Sequence, residues 1–193
     1  GLHVADALLC DAGGAVAAAE RLGFPVTLKI SSSEITHKSE LGGIALNLRT
    51  PEDVAGAARR LSKISSELLV EEMVTGAIAE LIVGVKRDPQ FGLALVVGAG
   101  GVLAELLKDT AALLLPTSRS EIERALKSLK VWKLVEGFRG KSGDRHAVIE
   151  AIESIAAFAL AHRGQIEELD VNPLLVLPDD AIAVDALIRM RTP

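Results

Sequence analysis

Two short segments at opposite ends of the chain restrict its fold more than anything between them. Near the start, Pro25-Val26-Thr27-Leu28-Lys29-Ile30 runs into His37-Lys38-Ser39-Glu40-Leu41-Gly42-Gly43; near the end, Glu168-Leu169-Asp170-Val171-Asn172-Pro173-Leu174 leads to Asp185. In the first, Val26, Leu28 and Ile30 alternate with Thr27, Lys29 and Ser31, the period of a strand that buries one face and turns Lys29 away from it, toward a cleft or solvent. An ammonium fixed on a strand suits a phosphate. In the second, Asn172 closes one apolar strand and Asp185 the next. These are hard oxygen donors, of which Mg²⁺ takes one or two from protein while phosphates and water fill its other positions. The two sets together describe a nucleotide site assembled from both ends of the chain.

With 193 residues, 49% of them hydrophobic, the chain can bury either one large domain or two small lobes sharing a cleft. A net charge of −5 and a pI near 5.4 exclude a general attraction to nucleic acid or to an anionic membrane, so any bound anion must be held locally. The single cysteine, Cys10, excludes an intrachain disulfide and a multi-cysteine metal site; it fits a reducing cytoplasm and reads as a small, half-buried apolar residue. The longest apolar run, Gly92 to Ala104, contains four glycines and falls short of the roughly 20 residues of a membrane helix. Gly1 is not preceded by Met, and no basic stretch followed by an apolar one opens the chain, so the expectation is a fragment of a longer protein without a signal peptide.

Ala12 to Leu22, stopped by Gly23 and Pro25, predicts a helix before the first strand. Ser31 to Leu41 lacks either periodicity and reads as a loop carrying His37 and Lys38, followed by a strand over Gly43 to Leu48. Thr50-Pro51-Glu52-Asp53 is a helix start that should run to about Ser65. Leu68 to Val74, Ile78 to Lys86 and, after the turn Asp88-Pro89-Gln90-Phe91, Gly92 to Val97 read as an antiparallel meander. Ser120-Glu121-Ile122-Glu123 is a capping box opening a helix to about Leu129, and Asp144 to His162 has helical spacing. Ile166 to Val171, Leu174 to Leu177 and Ala181 to Val184 close the chain as short strands, which makes an α+β unit with two lobes. Phe24 and Trp132 are most simply core residues.

Two phosphate-like motifs fail. Gly98-Ala99-Gly100-Gly101-Val102-Leu103 has Leu103 where a dinucleotide fingerprint needs its last glycine, and Gly140-Lys141-Ser142 lacks both the first glycine of a Walker A loop, replaced by Val135, and a preceding strand. The glycines at 98, 100 and 101 read either as a bulge or tight turn or as close backbone approach to a phosphate or a substrate domain. His37 alone is an ordinary surface histidine, but Lys38 and Gly42-Gly43 beside it favour an anionic site in which it acts as nucleophile or phosphate carrier. Glu71, Glu72 and Glu80 also read as solvent faces of two strands, and Glu167, Glu168 and Asp170 as a solvated acidic edge.

At these residues the chain resembles the ATP-grasp domain of the ADP-forming acyl-CoA synthetases, related to the β subunit of succinyl-CoA synthetase. Ordered blocks carry the resemblance over essentially all the chain: Gly23-Phe24-Pro25-Val26 with Lys29, Ile35-Thr36-His37-Lys38-Ser39 with Gly42-Gly43, Val70-Glu71-Glu72-Met73-Val74, Glu80 to Val85 with Asp88 to Gly92, Gly100-Gly101 with Glu105, Gly137-Phe138-Arg139-Gly140, and the segment 168–174 with Val184-Asp185-Ala186. It implies an ATP-grasp fold, two α/β lobes with antiparallel sheets enclosing a nucleotide cleft, the smaller lobe roughly 20–75 and the larger roughly 76–193.

The resemblance further implies that Lys29 binds the α/β-phosphates, that the Glu72 carbonyl and Val74 amide edge the adenine, and that Glu71 and Glu80 face adenine or ribose. Gly100, Gly101 and Glu105 would line the phosphate side, with Lys38 beside His37 and Arg139 as further candidates there. Asn172 and Asp185 would hold Mg²⁺. His37 would pass phosphate from a partner-domain phosphohistidine. The implied reaction is acid, CoA and ATP to acyl-CoA, ADP and phosphate in the cytoplasm, with CoA-binding and ligase domains supplied by the same chain or a separate subunit. Self-association into a homo-oligomer is left open. The alternative reading is an ATP- or acyl-CoA-sensing regulatory module of a protein acetyltransferase.

Overall fold

The computed structural model describes residues 1–31, 42–101 and 108–191. They divide into two compact units, one of Ala5–Thr75 and one of Gly1–Val4 with Gly76–Pro193. Each has its own sheet, its own helices and its own apolar core.

The smaller unit holds strands β2 (Ala7–Cys10), β3 (Val26–Ile30), β4 (Ile44–Leu48) and β5 (Leu68–Glu72) in the antiparallel order β2-β5-β3-β4, with helices α1 (Ala15–Leu22) and α2 (Pro51–Leu61). Gly23 ends α1 at φ 90°, a backbone region that glycine enters without a side-chain penalty. A reciprocal capping box starts α2: Thr50 Oγ1 accepts from the Asp53 N–H at 3.1 Å, and Asp53 accepts from the Thr50 N–H at 3.2 Å. Val54, Ala57, Ala58 and Leu61 then recur at helical spacing and are buried against Val26, Leu28, Ile30, Leu68 and Val70. Leu28, Ile30, Leu61 and Leu68 are fully buried, each contributing roughly 1.5–3 kcal/mol relative to exposure. Cys10 packs half-buried on this core; burial, and secondarily Asp11, pushes its thiol pKa up, which suits an inert packing residue.

The larger unit is built on a sheet in the order β1-β10-β9-β6-β7-β8, with β11 also pairing β9: β1 (His3–Val4), β6 (Ala79–Asp88), β7 (Gly92–Ala99), β8 (Thr110–Leu114), β9 (Ile166–Val176), β10 (Ala181–Ala183) and β11 (Ala186–Met190). All pairings are antiparallel except β1 with β10. One face, carrying Leu81, Val83, Val85, Leu95, Val97, Leu169 and Val171, is buried with the apolar stripes of α3 (Arg119–Ser128) and α5 (Arg145–Ala161); the short α4 (Trp132–Gly137) buries Trp132 and Val135 in the same core. Asp144 caps α5 by accepting from the His146 and Ala147 N–H groups.

Several expectations are corrected. Leu68–Glu72 does not join the meander; it lies between β2 and β3 in the smaller unit, leaving β6, β7 and β8 as the antiparallel run. Helix α2 ends at Leu61 rather than Ser65, because the chain tightens into a turn in which Ile64 N–H donates to Leu61 O at 2.9 Å. The N-cap of α3 is Ser118, with Glu121 as its partner, and not Ser120. The two strands expected over Ile166 to Val171 and Leu174 to Leu177 are one, β9, running through Asn172-Pro173 and ending at Val176, and β11 follows where no strand was expected. Phe24 is 37% exposed, whereas Trp132 is a core residue at 2%.

Candidate functional site

In the smaller unit every residue of β3 is buried, Lys29 included at 7% exposure, so of the two expected surroundings, cleft or solvent, open solvent does not hold. Thr27 and Lys29 share the sheet face opposite the helix-packed one. The register places Glu71 directly across from Thr27 and Leu69 across from Lys29, so Glu71 is the diagonal neighbour of Lys29. Lys29 Nζ lies 2.5 Å from Glu71 Oε2, with the two side chains only 8% and 12% exposed. Glu71 is therefore not a solvent-facing carboxylate. It holds one of the ammonium's donors and fixes where the charge sits. Glu72 is exposed at the end of β5, its N–H donating to Asp6 O at 2.9 Å, and Val74 follows half-buried where pairing with β3 has ceased.

In the larger unit the face of the sheet turned away from the helices collects the other candidates. Glu80 Oε2 would lie 2.8 Å from a Cβ added at Gly101, whose φ is 73°, and the Gly100 N–H donates to Glu80 O at 2.7 Å. Glu80, Gly100 and Gly101 are thus brought together, and the glycines have a structural reason: Glu80 occupies the space their side chains would need. Asn172 and Asp185 meet at a break in the sheet. On one edge of β9 the pairing to β6 jumps from Val171–Val83 to Leu174–Leu81, so Asn172 and Pro173 oppose Ile82 alone, as in a bulge. On the other edge β9 changes partner from β11 to β10 at the same place. There Asn172 N–H donates to Asp185 O at 3.1 Å and Val184 N–H to Pro173 O at 3.3 Å. Both Asn172 and Asp185 are exposed.

Asp170, read from sequence as part of a solvated edge, is half-buried across from Gly84, where a Cβ would come 3.5 Å from its Oδ1. Its carboxyl is held above the ordinary range by burial first, then by Glu168 and Asp185. Negative charge therefore converges beside Asn172, an arrangement that a cation would relieve. Its sequence signal is the alternation Glu168, Asp170 on one face of a strand whose other face is apolar. Glu167, by contrast, is a rim residue 3.9 Å from Arg87 and Arg191. Among the described residues no three His, Cys, Asp or Glu side chains form a metal cage. A site of one carboxylate and one amide oxygen fits Mg²⁺ whose other ligands are phosphates and water.

Arg139 is exposed in a two-residue turn closed by Phe138 N–H to Lys141 O at 2.9 Å, with Arg139 at φ 51° and Gly140 at φ 79°; its guanidinium stands 5.2 Å from the Phe138 ring centre. No hydrogen bond or ion pair joins it to Glu80, Gly100 or Asn172 among the described residues. His37, Lys38 and Glu105 lie outside the described residues.

The sequence matches the ATP-grasp domain family over residues 1–190. It is 36% identical over 191 residues to acetate–CoA ligase [ADP-forming] II of Archaeoglobus fulgidus, covering 97% of this chain but only 28% of that protein. With the β subunit of acetate–CoA ligase [ADP-forming] I of Pyrococcus furiosus it shares 33% over 174 residues, 86% of this chain and 75% of that subunit. Among solved structures, acetyl-coenzyme A synthetase 1 of Ca. Korarchaeum cryptofilum, in complex with coenzyme A and Mg-AMPPCP and with its phosphohistidine segment pointing towards the nucleotide binding site, superposes with a TM-score of 0.87 at 36% identity, covering 99% of this chain and 86% of that one. The chain spans just over a quarter of the Archaeoglobus ligase's length. Two largely antiparallel sheets, a buried strand lysine and an Asn-Asp pair at a sheet break accompany these likenesses, and the chain belongs to the ATP-grasp domain family, its relatives being ADP-forming acyl-CoA ligases.

Proposed function

We propose that the chain carries the nucleotide half-reaction of an ADP-forming acyl-CoA synthetase: ATP or ADP is bound and phosphate is passed by His37, while CoA and the acid are handled by further domains of the same enzyme or by a separate subunit. The observation that carries this reading is the juxtaposition of Asn172 and Asp185 at the break in β9, beside the convergent carboxylates. Such a donor pair is suited to a magnesium-nucleotide and leaves room for phosphate oxygens. Bound Mg²⁺ would offset charge on the transferring phosphoryl group. Lys29 brings a buried cation whose position Glu71 helps to set, a charge of the sign that phosphate oxygens require. Glu80 with Gly100 and Gly101, and Glu72 with Val74, supply ribose-side, phosphate-side and adenine-edge contacts in this reading; Lys38, Glu105 and Arg139 are assigned to the phosphate side by resemblance. No described helix is long and apolar enough to cross a membrane, and the reading places the reaction in the cytoplasm.

Isothermal titration of the 193-residue chain with ATP, with and without Mg²⁺, tests the proposal. Mg²⁺ should tighten ATP binding, and Asn172→Ala/Asp185→Ala should abolish that tightening while Mg²⁺-free affinity is kept. A double variant with a normal Mg²⁺ response would place the ligands elsewhere. Binding of nucleotide with no phosphate transfer by the parent enzyme would favour a sensing module instead.

A further inference from the structure

Buried polar or charged side chains are few among the described residues: Thr27, Lys29 and Asp109. The first two share the sheet face on which Lys29 is assigned to nucleotide, whereas Asp109 has no part in that reading. It stands immediately before β8 in the larger unit and is 7% exposed. A carboxylate withdrawn from water needs its charge met, and here two backbone N–H groups meet it. Lys130 N–H donates to Oδ1 and Val131 N–H to Oδ2, each at 2.8 Å. Lys130 and Val131 lie in the link between α3 and α4, so the carboxylate fixes the head of β8 onto the helical layer.

The backbone of the same residue faces the sheet. Asp109 O accepts from the Ala99 N–H at 2.9 Å, which extends the β7–β8 pairing one step past Gly98 and Thr110. No side chain fits at Gly98, where a Cβ would lie 2.9 Å from Asp109 O and 2.7 Å from Thr110 Cγ2. The next N–H along β7, that of Gly100, donates the other way, to Glu80 O on β6 at 2.7 Å. The strand end that leads into Gly100-Gly101 is thus gripped from both sides, by Glu80 through β6 and by Asp109 ahead of β8. Lys108 takes φ 45°, a left-handed conformation that a residue with a side chain enters at a cost and keeps where its surroundings hold it. That turn directly precedes the buried Asp109.

We propose that Asp109 is a positioning residue for the phosphate side of the nucleotide site: by tying the head of β8 to the α3–α4 link, it sets where the Gly100-Gly101 backbone stands. It acts through Ala99, and backbone dipoles serve a phosphate best where they are held in place beforehand. The role rests on the nucleotide reading of Gly100 and Gly101.

Amide exchange followed by NMR, together with calorimetry, tests it on the 193-residue chain. Asp109→Asn keeps the size of the side chain but sets an NH₂ group against one of the two N–H donors. Gly98→Ala leaves the carboxylate intact and pushes Asp109 O away from β7. In both variants the Ala99 and Gly100 amides should exchange about 10-fold faster or more, while those of the β6–β9 pairing keep their rates. Both should weaken ATP about 10-fold or more and leave the affinity for adenosine, which lacks phosphate, unchanged. A residue that merely stabilised the fold would speed exchange throughout the sheet, or weaken ATP and adenosine alike. Either result would overturn the proposal, as would unchanged exchange at Ala99 and Gly100. Should Asp109→Asn not fold, Gly98→Ala carries the same test. A wild-type chain that bound no ATP would overturn the nucleotide reading and the role built on it, whereas ATP bound equally by wild type and both variants would overturn the role of Asp109 alone.

Discussion

Lys29 is asked to meet a phosphate while it already meets Glu71, and the burial of both side chains makes that pairing consequential. Removing one partner of a buried pair leaves the other charge desolvated, at a cost approaching roughly 3–5 kcal/mol. Lys29→Met should therefore lower stability in urea denaturation and weaken ATP about 10- to 100-fold, the loss of one charge-assisted phosphate contact of roughly 1.5–3 kcal/mol. Lys29→Met/Glu71→Gln should recover most of the stability and none of the affinity. Equal affinity for ATP in Lys29→Met would remove Lys29 from the nucleotide site, and a double variant as unstable as the single one would show that the unpaired carboxylate is not the cause. The strand that carries Lys29 was legible from the alternation of Val26, Leu28 and Ile30. Its partner was not, because Glu71 becomes a neighbour only through the register of β5 on β3.

Elements were legible where their end signals were unique and less so where two candidates competed. Both Ser118 and Ser120 stand three residues before a glutamate, but Ser118 accepts from the Glu121 N–H at the first turn of α3. Ser118→Ala should cost about 1 kcal/mol and Ser120→Ala much less, as read by thermal melting. Glu121 is held below the usual carboxylate range, chiefly by the Ser118 N–H and then by the Ser118 and Thr117 hydroxyls. A carboxylate lowered in the folded state adds stability above its unfolded pKa and loses it as pH falls through the folded one. Glu121→Gln should accordingly flatten the fall of stability with acid below the ordinary carboxylate range; an unchanged acid slope would contradict the role. The sheet break at Asn172 had no such local sign. The segment read as two strands because Asn172-Pro173 interrupts the apolar pattern, yet both halves pair with β6 on either side of the irregularity.

At the scale of the whole chain, two separate cores imply two separable stabilities. Leu61 is fully buried in the smaller unit and Leu126 in the larger. Truncating either to Ala should cost about 2–5 kcal/mol, and in denaturant unfolding each should shift its own transition. A single transition moved equally by both variants would show that the units unfold together. The sequence by itself determined most helix and strand periods, the cap at Thr50 and the likeness to a family, and it named the candidate site residues, because each rests on neighbours along the chain or on an ordered series of short blocks. Only the tertiary structure decided that Leu68–Glu72 joins β3 rather than β6, that Glu71 locks Lys29, that Asp170 is withdrawn from water, and that Asn172 meets Asp185 where one strand changes partners. Those facts depend on register between segments far apart in the chain, and a shift of one residue in that register would turn every one of these side chains to the opposite face.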